Sequence, residues 1–193
     1  MSWPVTTRRG GEHDTKDFEE YRNILTAIYD LAGRGAAVDL GCGEAQVTRD
    51  WGMCSLVDMV RAPYLWRTIE KMDMRDAPAL FIEDCRRFNL MVMTDSIEHL
   101  LREDAEKLLV AMAPLCKAMV IFTPVGPYNM DVASVDPDVH KSAWTPQEFN
   151  DSGWVVWEWP NYHPNVGAFW AWRWMDGKTP SVEEVAAKAG VAI

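Results

Sequence analysis

The sequence predicts an α/β fold in which a mostly parallel sheet is covered by helices on both faces. Apolar runs at 36–40, 53–58, 88–94 and 117–123 are interleaved with helix-compatible stretches, and runs apolar on both faces belong to strands buried on both sides. The first run, Ala36-Ala37-Val38-Asp39-Leu40, meets Gly41-Cys42-Gly43, and a helix-compatible stretch from Ala45 to Trp51 follows. Without a Cβ, glycine lets the backbone take positive φ and lets a ligand lie against the main chain beside the amide dipoles of a helix start. Strand, tight turn and helix in that order point to a nucleotide-like ligand, although such a turn also serves merely to reverse a chain.

Each element follows from its pattern. Residues 1–14 are polar and glycine-containing and read as a loose arm. From 17 to 32, Phe18, Tyr21, Ile24, Leu25, Ile28, Tyr29 and Leu31 recur at three and four, so an amphipathic helix ends at Gly33-Arg34-Gly35. The second strand, 53–58, ends on Asp58, where a carboxylate after a glycine-rich first turn accepts bonds from ribose hydroxyls. A third strand is expected within 66–74, with 79–83 ending at Asp84 as the alternative, then a small helix through Arg87. The fourth strand, 88–94, leads through Asp95, read as a helix cap, into a helix running to about Ala113. The fifth, 117–123, stops at Pro124, and a long Pro-, Gly- and Asp-containing loop, 125–139, lies where open parallel sheets bind ligands. Thr145-Pro146-Gln147-Glu148 opens a helix with a capping box. The runs 154–159 and 168–174 read as an antiparallel hairpin, and 181–188 as a terminal helix.

Composition narrows the function. A chain of 193 residues with 48% hydrophobic content buries one core and is read as a single domain, 1–193, with 176–193 as a C-terminal tail and helix. A net charge of −10 argues against nucleic-acid and anionic-membrane partners. The start carries no signal-peptide apolar core and no stretch reaches membrane-span length, so a cytoplasmic location is expected. Cys42, Cys54, Cys85 and Cys116 form no Cys-x-x-Cys pair and read as reduced thiols.

Four segments, Val38-Asp39-Leu40-Gly41-Cys42-Gly43, Leu56-Val57-Asp58, Met72-Asp73-Met74-Arg75-Asp76 and Asp95-Ser96-Ile97-Glu98-His99-Leu100, resemble the motifs of class I S-adenosylmethionine-dependent methyltransferases over roughly residues 17–175. The resemblance implies a Rossmann-like, seven-stranded, mostly parallel sheet with a C-terminal antiparallel hairpin. It implies S-adenosylmethionine as cofactor: Asp39, Gly41, Cys42 and Gly43 at its methionine part, Asp58 at the ribose, Asp73 and the Met74 amide at the adenine, Asp95 near the reacting sulfonium, with Met59 and Thr94 also cofactor-binding. Two features depart from the pattern: Ala45 replaces the third glycine, and the link from strand two to strand three is short.

Asp95, Glu98 and His99 fall at i, i+3 and i+4 of the expected helix, and His140 follows the long loop. Two carboxylates and two imidazoles suit a divalent cation, with zinc, iron or manganese ahead of magnesium. This set resembles the metal-dependent small-RNA 2′-O-methyltransferases; the metal-free reading, in which Glu98 and His99 position the helix or an acceptor, is preferred. His99 or His140 is then the general base. Trp170, Trp172 and Trp174 alternate onto one strand face, as do Trp157 and Trp159; burial against a helix or in a homodimer through this C-terminal region is preferred to base stacking. Methyl transfer to an O or N acceptor, on a small molecule, is the leading reading. A nicotinamide-dependent dehydrogenase and a non-catalytic cofactor- or partner-binding module are the alternatives.

Overall fold

The expected sheet forms from the β-strands that the apolar runs encode. A computed structural model describes residues 15–43, 45–59, 69–136, 139–160, 162 and 166–193. The expected arm at 1–14, residues 60–68 with the start of the expected third strand (66–68), and part of the stretch between the last two strands lie outside the described residues. The elements are α1 (Thr15–Leu31), β1 (Ala37–Leu40), β2 (Cys54–Asp58), β3 (Ile69–Lys71), α2 (Ala77–Glu83), β4 (Phe88–Thr94), α3 (Arg102–Met112), β5 (Cys116–Pro124), α4 (Pro146–Asp151), β6 (Val155–Trp159), β7 (Ala168–Trp174) and α5 (Val182–Ala189). One seven-stranded sheet runs in the order β3-β2-β1-β4-β5-β7-β6. The pairs from β3 to β5 are parallel, and β7 is antiparallel to both β5 and β6.

Two cores cover the two faces. Tyr21, Ile24, Leu25 and Ile28 of α1 pack with Leu56, Val92, Val120 and Phe122 on one; Phe81, Leu108 and Met112 of α2 and α3 pack with Val38, Met91 and Ile121 on the other. Successive strand residues alternate between these cores, which is why the strands read as continuous apolar runs. Trp170, Trp172 and Trp174 are buried in the first core together with α1 and with Val185 and Ala186 of α5, so the chain's own helices cover that stripe. The indole N–H of Trp172 donates to the Pro180 carbonyl at 2.8 Å, fixing the approach to α5. Capping boxes at Thr145/Glu148 and Ser181/Glu184 start α4 and α5.

Three expectations are corrected. The stretch after the glycine turn is no α-helix but a single 3-10 turn, Thr48–Asp50, because Ala45 enters with φ +47° and Trp51 leaves extended to stack on Tyr29 at 4.0 Å. The helix expected from Asp95 is broken: Asp95 is left-handed at φ +47°, Ile97–His99 form a 3-10 turn, Leu100 and Leu101 are extended, and α3 starts at Arg102. Asp95 therefore caps no helix. The alternative third strand, 79–83, lies in α2, whose C-cap is Asp84. Among the described residues no helix is long and apolar enough to cross a membrane.

Candidate active site

The carboxyl ends of β1, β2, β4 and β5 converge on the glycine turn. Gly41 and Cys42 donate their amides to the Val57 carbonyl at 2.9 and 3.1 Å, binding the turn to β2. Gly41 and Gly43 have φ of +72° and +51°, values that glycine takes without a Cβ penalty. The Gly43 amide donates to the Asp58 carboxylate at 2.7 Å, so the turn orients the acid expected at the ribose. Ala45, at the position of a third glycine, keeps a glycine-like backbone. Met59 follows Asp58 as an exposed side chain. Burial pushes the Cys42 thiol well above its ordinary range, with Asp39 and Asp58 adding to the effect.

Asp39 is buried on β1. One carboxylate oxygen accepts from the Thr48 hydroxyl at 2.5 Å, and the other, Oδ1, has no hydrogen-bond partner among the described residues. Burial raises its pKa to about 7, the Thr48 bond opposing and the Asp58 charge reinforcing the shift. A buried polar atom left unmatched is costly unless a ligand completes it. Ser96 Oγ, buried just beyond β4, is a second such atom.

Beyond β3, Asp73 is gripped by Arg75, whose guanidinium holds its carboxyl below the usual range. The Met72 amide donates to the Asp58 carbonyl at 3.1 Å, which brings the segment of Asp73 and Met74 alongside Asp58. The Met74 side chain reaches Gly41, with Cε 3.1 Å from where a Cβ on that glycine would stand. Asp84, the other acid weighed for the adenine, pairs with Arg86 on the approach to the amino end of β4.

At the end of β4, Thr94 and Asp95 lie beside Tyr21 of α1. Burial, with the Asp95 charge next, raises the Tyr21 pKa. On the other flank, the ligand atoms of Glu98, His99 and His140 lie within 4.8 Å of one another. Asp95, also expected as a ligand, is outside that group, although its charge acts on both Glu98 and Tyr21. Glu98 is buried; Oε2 accepts from Thr123 at 3.0 Å, and Oε1 has no hydrogen-bond partner among the described residues. Burial, then the Asp95 charge, raises its pKa to about 8.

His140 is brought in by the returning arm of the long loop. Lys141 and Ser142 donate their amides to the Glu98 carbonyl at 2.7 and 3.0 Å, and the His140 and His99 rings meet edge to face at 4.8 Å. Arg102 clamps this arm: it stacks 3.8 Å over Trp144, donates to the Ala143 carbonyl at 2.9 Å and pairs with Glu148 at 2.7 Å. Trp144 in turn donates to Ser142 Oγ at 2.9 Å. Arg102→Ala should lower stability by about 1–2 kcal/mol, through the lost stacking and bonds. Limited proteolysis should then cut faster within 127–141; unchanged cleavage and melting would contradict the clamp.

Sequence reasoning missed Tyr21, Thr48, Ser96, Thr123 and Arg102. Tyr21 sits at an apolar helix position; Thr48, Thr123 and Arg102 answer partners distant in sequence, and Ser96 Oγ has no hydrogen-bond partner among the described residues.

No family model and no curated protein matches the sequence. Solved structures do. The small RNA methyltransferase HEN1 aligns at TM-score 0.57 and 16% identity over 92% of this chain, which spans 28% of that protein. The methyltransferase domain of a bacterial Hen1 aligns at 0.54 and 15% over 80% of this chain and 96% of that domain. DhpI in complex with SAH aligns at 0.50 and 13% over 81% of this chain and 92% of its own. The fold is that of the class I methyltransferases. Within it, the glycine turn and Asp58 stand at the carboxyl edge of the sheet, beside the β1/β4 switch point where doubly wound folds bind ligands.

Proposed function

We propose that the chain is an S-adenosylmethionine-dependent methyltransferase acting on an oxygen or nitrogen acceptor. The observation that carries this is Asp39 Oδ1, a buried, hydrogen-bond-deficient carboxylate oxygen in the strand that feeds the glycine turn. Such an atom calls for a donor from the ligand, and a cationic ammonium supplies the stronger, charge-assisted bond. Asp39 with Gly41, Cys42 and Gly43 would hold the methionine part, Asp58 with Met59 the ribose, and Asp73 with the Met74 amide the adenine. Thr94 and Asp95 would face the reacting end. The cofactor supplies an already activated methyl group. The protein's part is alignment and exclusion of water, with His99 or His140 placed to take a proton from the acceptor.

A second reading, metal-assisted methylation of an RNA 2′-hydroxyl, is favoured by one observation: the Glu98–His99–His140 cluster, in which Glu98 Oε1 is buried without a hydrogen-bond partner among the described residues. The donor set fits a divalent cation, which would polarise an acceptor hydroxyl and favour its deprotonation. The relative named a small RNA methyltransferase adds support, and the net charge of −10 opposes it.

Calorimetry with S-adenosylmethionine and S-adenosylhomocysteine tests the first reading. Both should bind, and Asp58→Ala should weaken them about 30-fold, the value of roughly 2 kcal/mol in bonds to a charged acceptor. Failure of both to bind wild type would overturn it. Loss of turnover in chelator, restored by added metal, would favour the second reading.

A further inference from the structure

We propose that the half-buried rings of Trp159 and Tyr162 seat a planar aromatic ring of the methyl acceptor. This rests on the methyltransferase reading and goes beyond it by naming the acceptor's chemical class.

The two rings are the outer part of an aromatic wall drawn from α1, β5, β6, β7 and the stretch between β6 and β7. Phe122 is its centre, with ring centroids 5.2 Å from Tyr21, 4.7 Å from Tyr162, 4.5 Å from Trp170 and 6.2 Å from Trp159. Phe122, Trp170 and Tyr21 are buried, while Trp159 and Tyr162 keep part of their surface open. Trp159 and Tyr162 lie 5.5 Å apart, tilted by 40°. The wall is tied to the reacting end: Phe122 pairs with Thr94 across β4 and β5, and its carbonyl accepts from the Asp95 amide at 2.9 Å. The Asp95 charge acts on Tyr21 of this wall and on Glu98 of the donor cluster.

An acceptor ring resting on the open rings therefore directs its substituent toward Asp95 and the imidazoles. The Asp95 charge, which acts on both Tyr21 and Glu98, disfavours an anionic ring. Stacking on aromatic faces is tolerant of ring identity, so the shared chemistry is a flat ring, whether nucleobase or phenol.

Saturation-transfer NMR on protein saturated with S-adenosylhomocysteine, which occupies the cofactor's own adenine site, tests the seat with adenosine, phenol and ribitol. Transfer is expected to the ring protons of adenosine or phenol, and the arm that responds separates nucleoside from phenol; ribitol should receive none. Tyr162→Ala and Trp159→Ala should each weaken the responding ring at least tenfold, Tyr162→Phe should retain it, and S-adenosylhomocysteine binding should stay within twofold. Tyr162→Leu, which keeps an apolar contact on Phe122 without a ring face, serves if the alanine variant misfolds. Equal transfer to ribitol, no transfer to either ring probe, or binding unchanged in the alanine and leucine variants would overturn the proposal. If S-adenosylhomocysteine does not bind wild type, the methyltransferase reading fails, while the Tyr162 contrast without it still judges the ring seat.

Discussion

Gly41→Ala should destabilise the protein by about 2–4 kcal/mol and abolish cofactor binding. Two costs combine. Gly41 sits at φ +72°, where a Cβ costs roughly 1 kcal/mol. That Cβ would also stand 2.6 Å from Ser96 Cβ. Ser96 Cβ is bonded to the main chain and cannot swing away, so the backbone after β4 has to shift, and overpacking of this kind costs about 1–3 kcal/mol. Ser96 opens the turn that carries Glu98 and His99, so the damage spreads from the cofactor turn to the donor cluster. Gly153→Ala is the control. Its φ is +79°, but an added Cβ meets nothing within 4 Å. Urea denaturation should separate the two variants by about 1–3 kcal/mol, the packing cost alone. Equal losses would show that Gly41 is needed only for its backbone conformation.

The sheet was legible because burial on both faces writes itself into sequence. Phe88–Thr94 and Ala168–Trp174 carry apolar runs broken internally only at Asn89 and Arg173, and the strands begin and end where those runs do. The connections were less legible. Ala45 and Asp95 both adopt left-handed backbone without being glycine, and each replaces an expected helical path with a 3-10 turn. Asx residues tolerate that region through their short polar side chains, so Asp95 gives no local warning. His140 reached the Glu98 cluster through backbone bonds from Lys141 and Ser142 to the Glu98 carbonyl, contacts that no periodicity encodes. In the sequence its local mark is its place after the long loop at 125–139. Thr48 on Asp39 and Thr123 on Glu98 show the general difficulty. A buried carboxylate reveals a chemical need, but the residue that answers it is chosen by the fold.

Asp39 should make the ligand-free protein less stable as pH rises from 4 to 7, the reverse of a salt-bridged aspartate. Its folded pKa is about 7 against 3.8 for an ordinary carboxyl. Within that window the folded chain holds a proton that the unfolded chain has released, so unfolding releases it and higher pH favours unfolding. The destabilisation begins above the unfolded value and is complete above the folded one. At 1.36 kcal/mol per unit it amounts to at most about 4 kcal/mol. Glu98, raised to about 8 by burial and Asp95, tilts the profile the same way, so the wild-type curve alone does not isolate Asp39. Asp39→Asn does. The difference between the two pH profiles should be flat below about pH 4, open to about 2–4 kcal/mol by pH 8, and favour the variant. The Thr48 hydroxyl still finds an acceptor in the side-chain carbonyl of the introduced asparagine, so the variant loses the charge and keeps the bond. Cofactor binding should run opposite: the ammonium of S-adenosylmethionine selects the ionised carboxylate, so affinity should climb by up to tenfold per pH unit toward 7 in wild type and stay nearly level in Asp39→Asn. Chemical denaturation and calorimetry across pH 5–8 would measure both slopes. Parallel stability profiles would remove Asp39 as the titrating group, and a cofactor affinity independent of pH in wild type would remove it from the ammonium site.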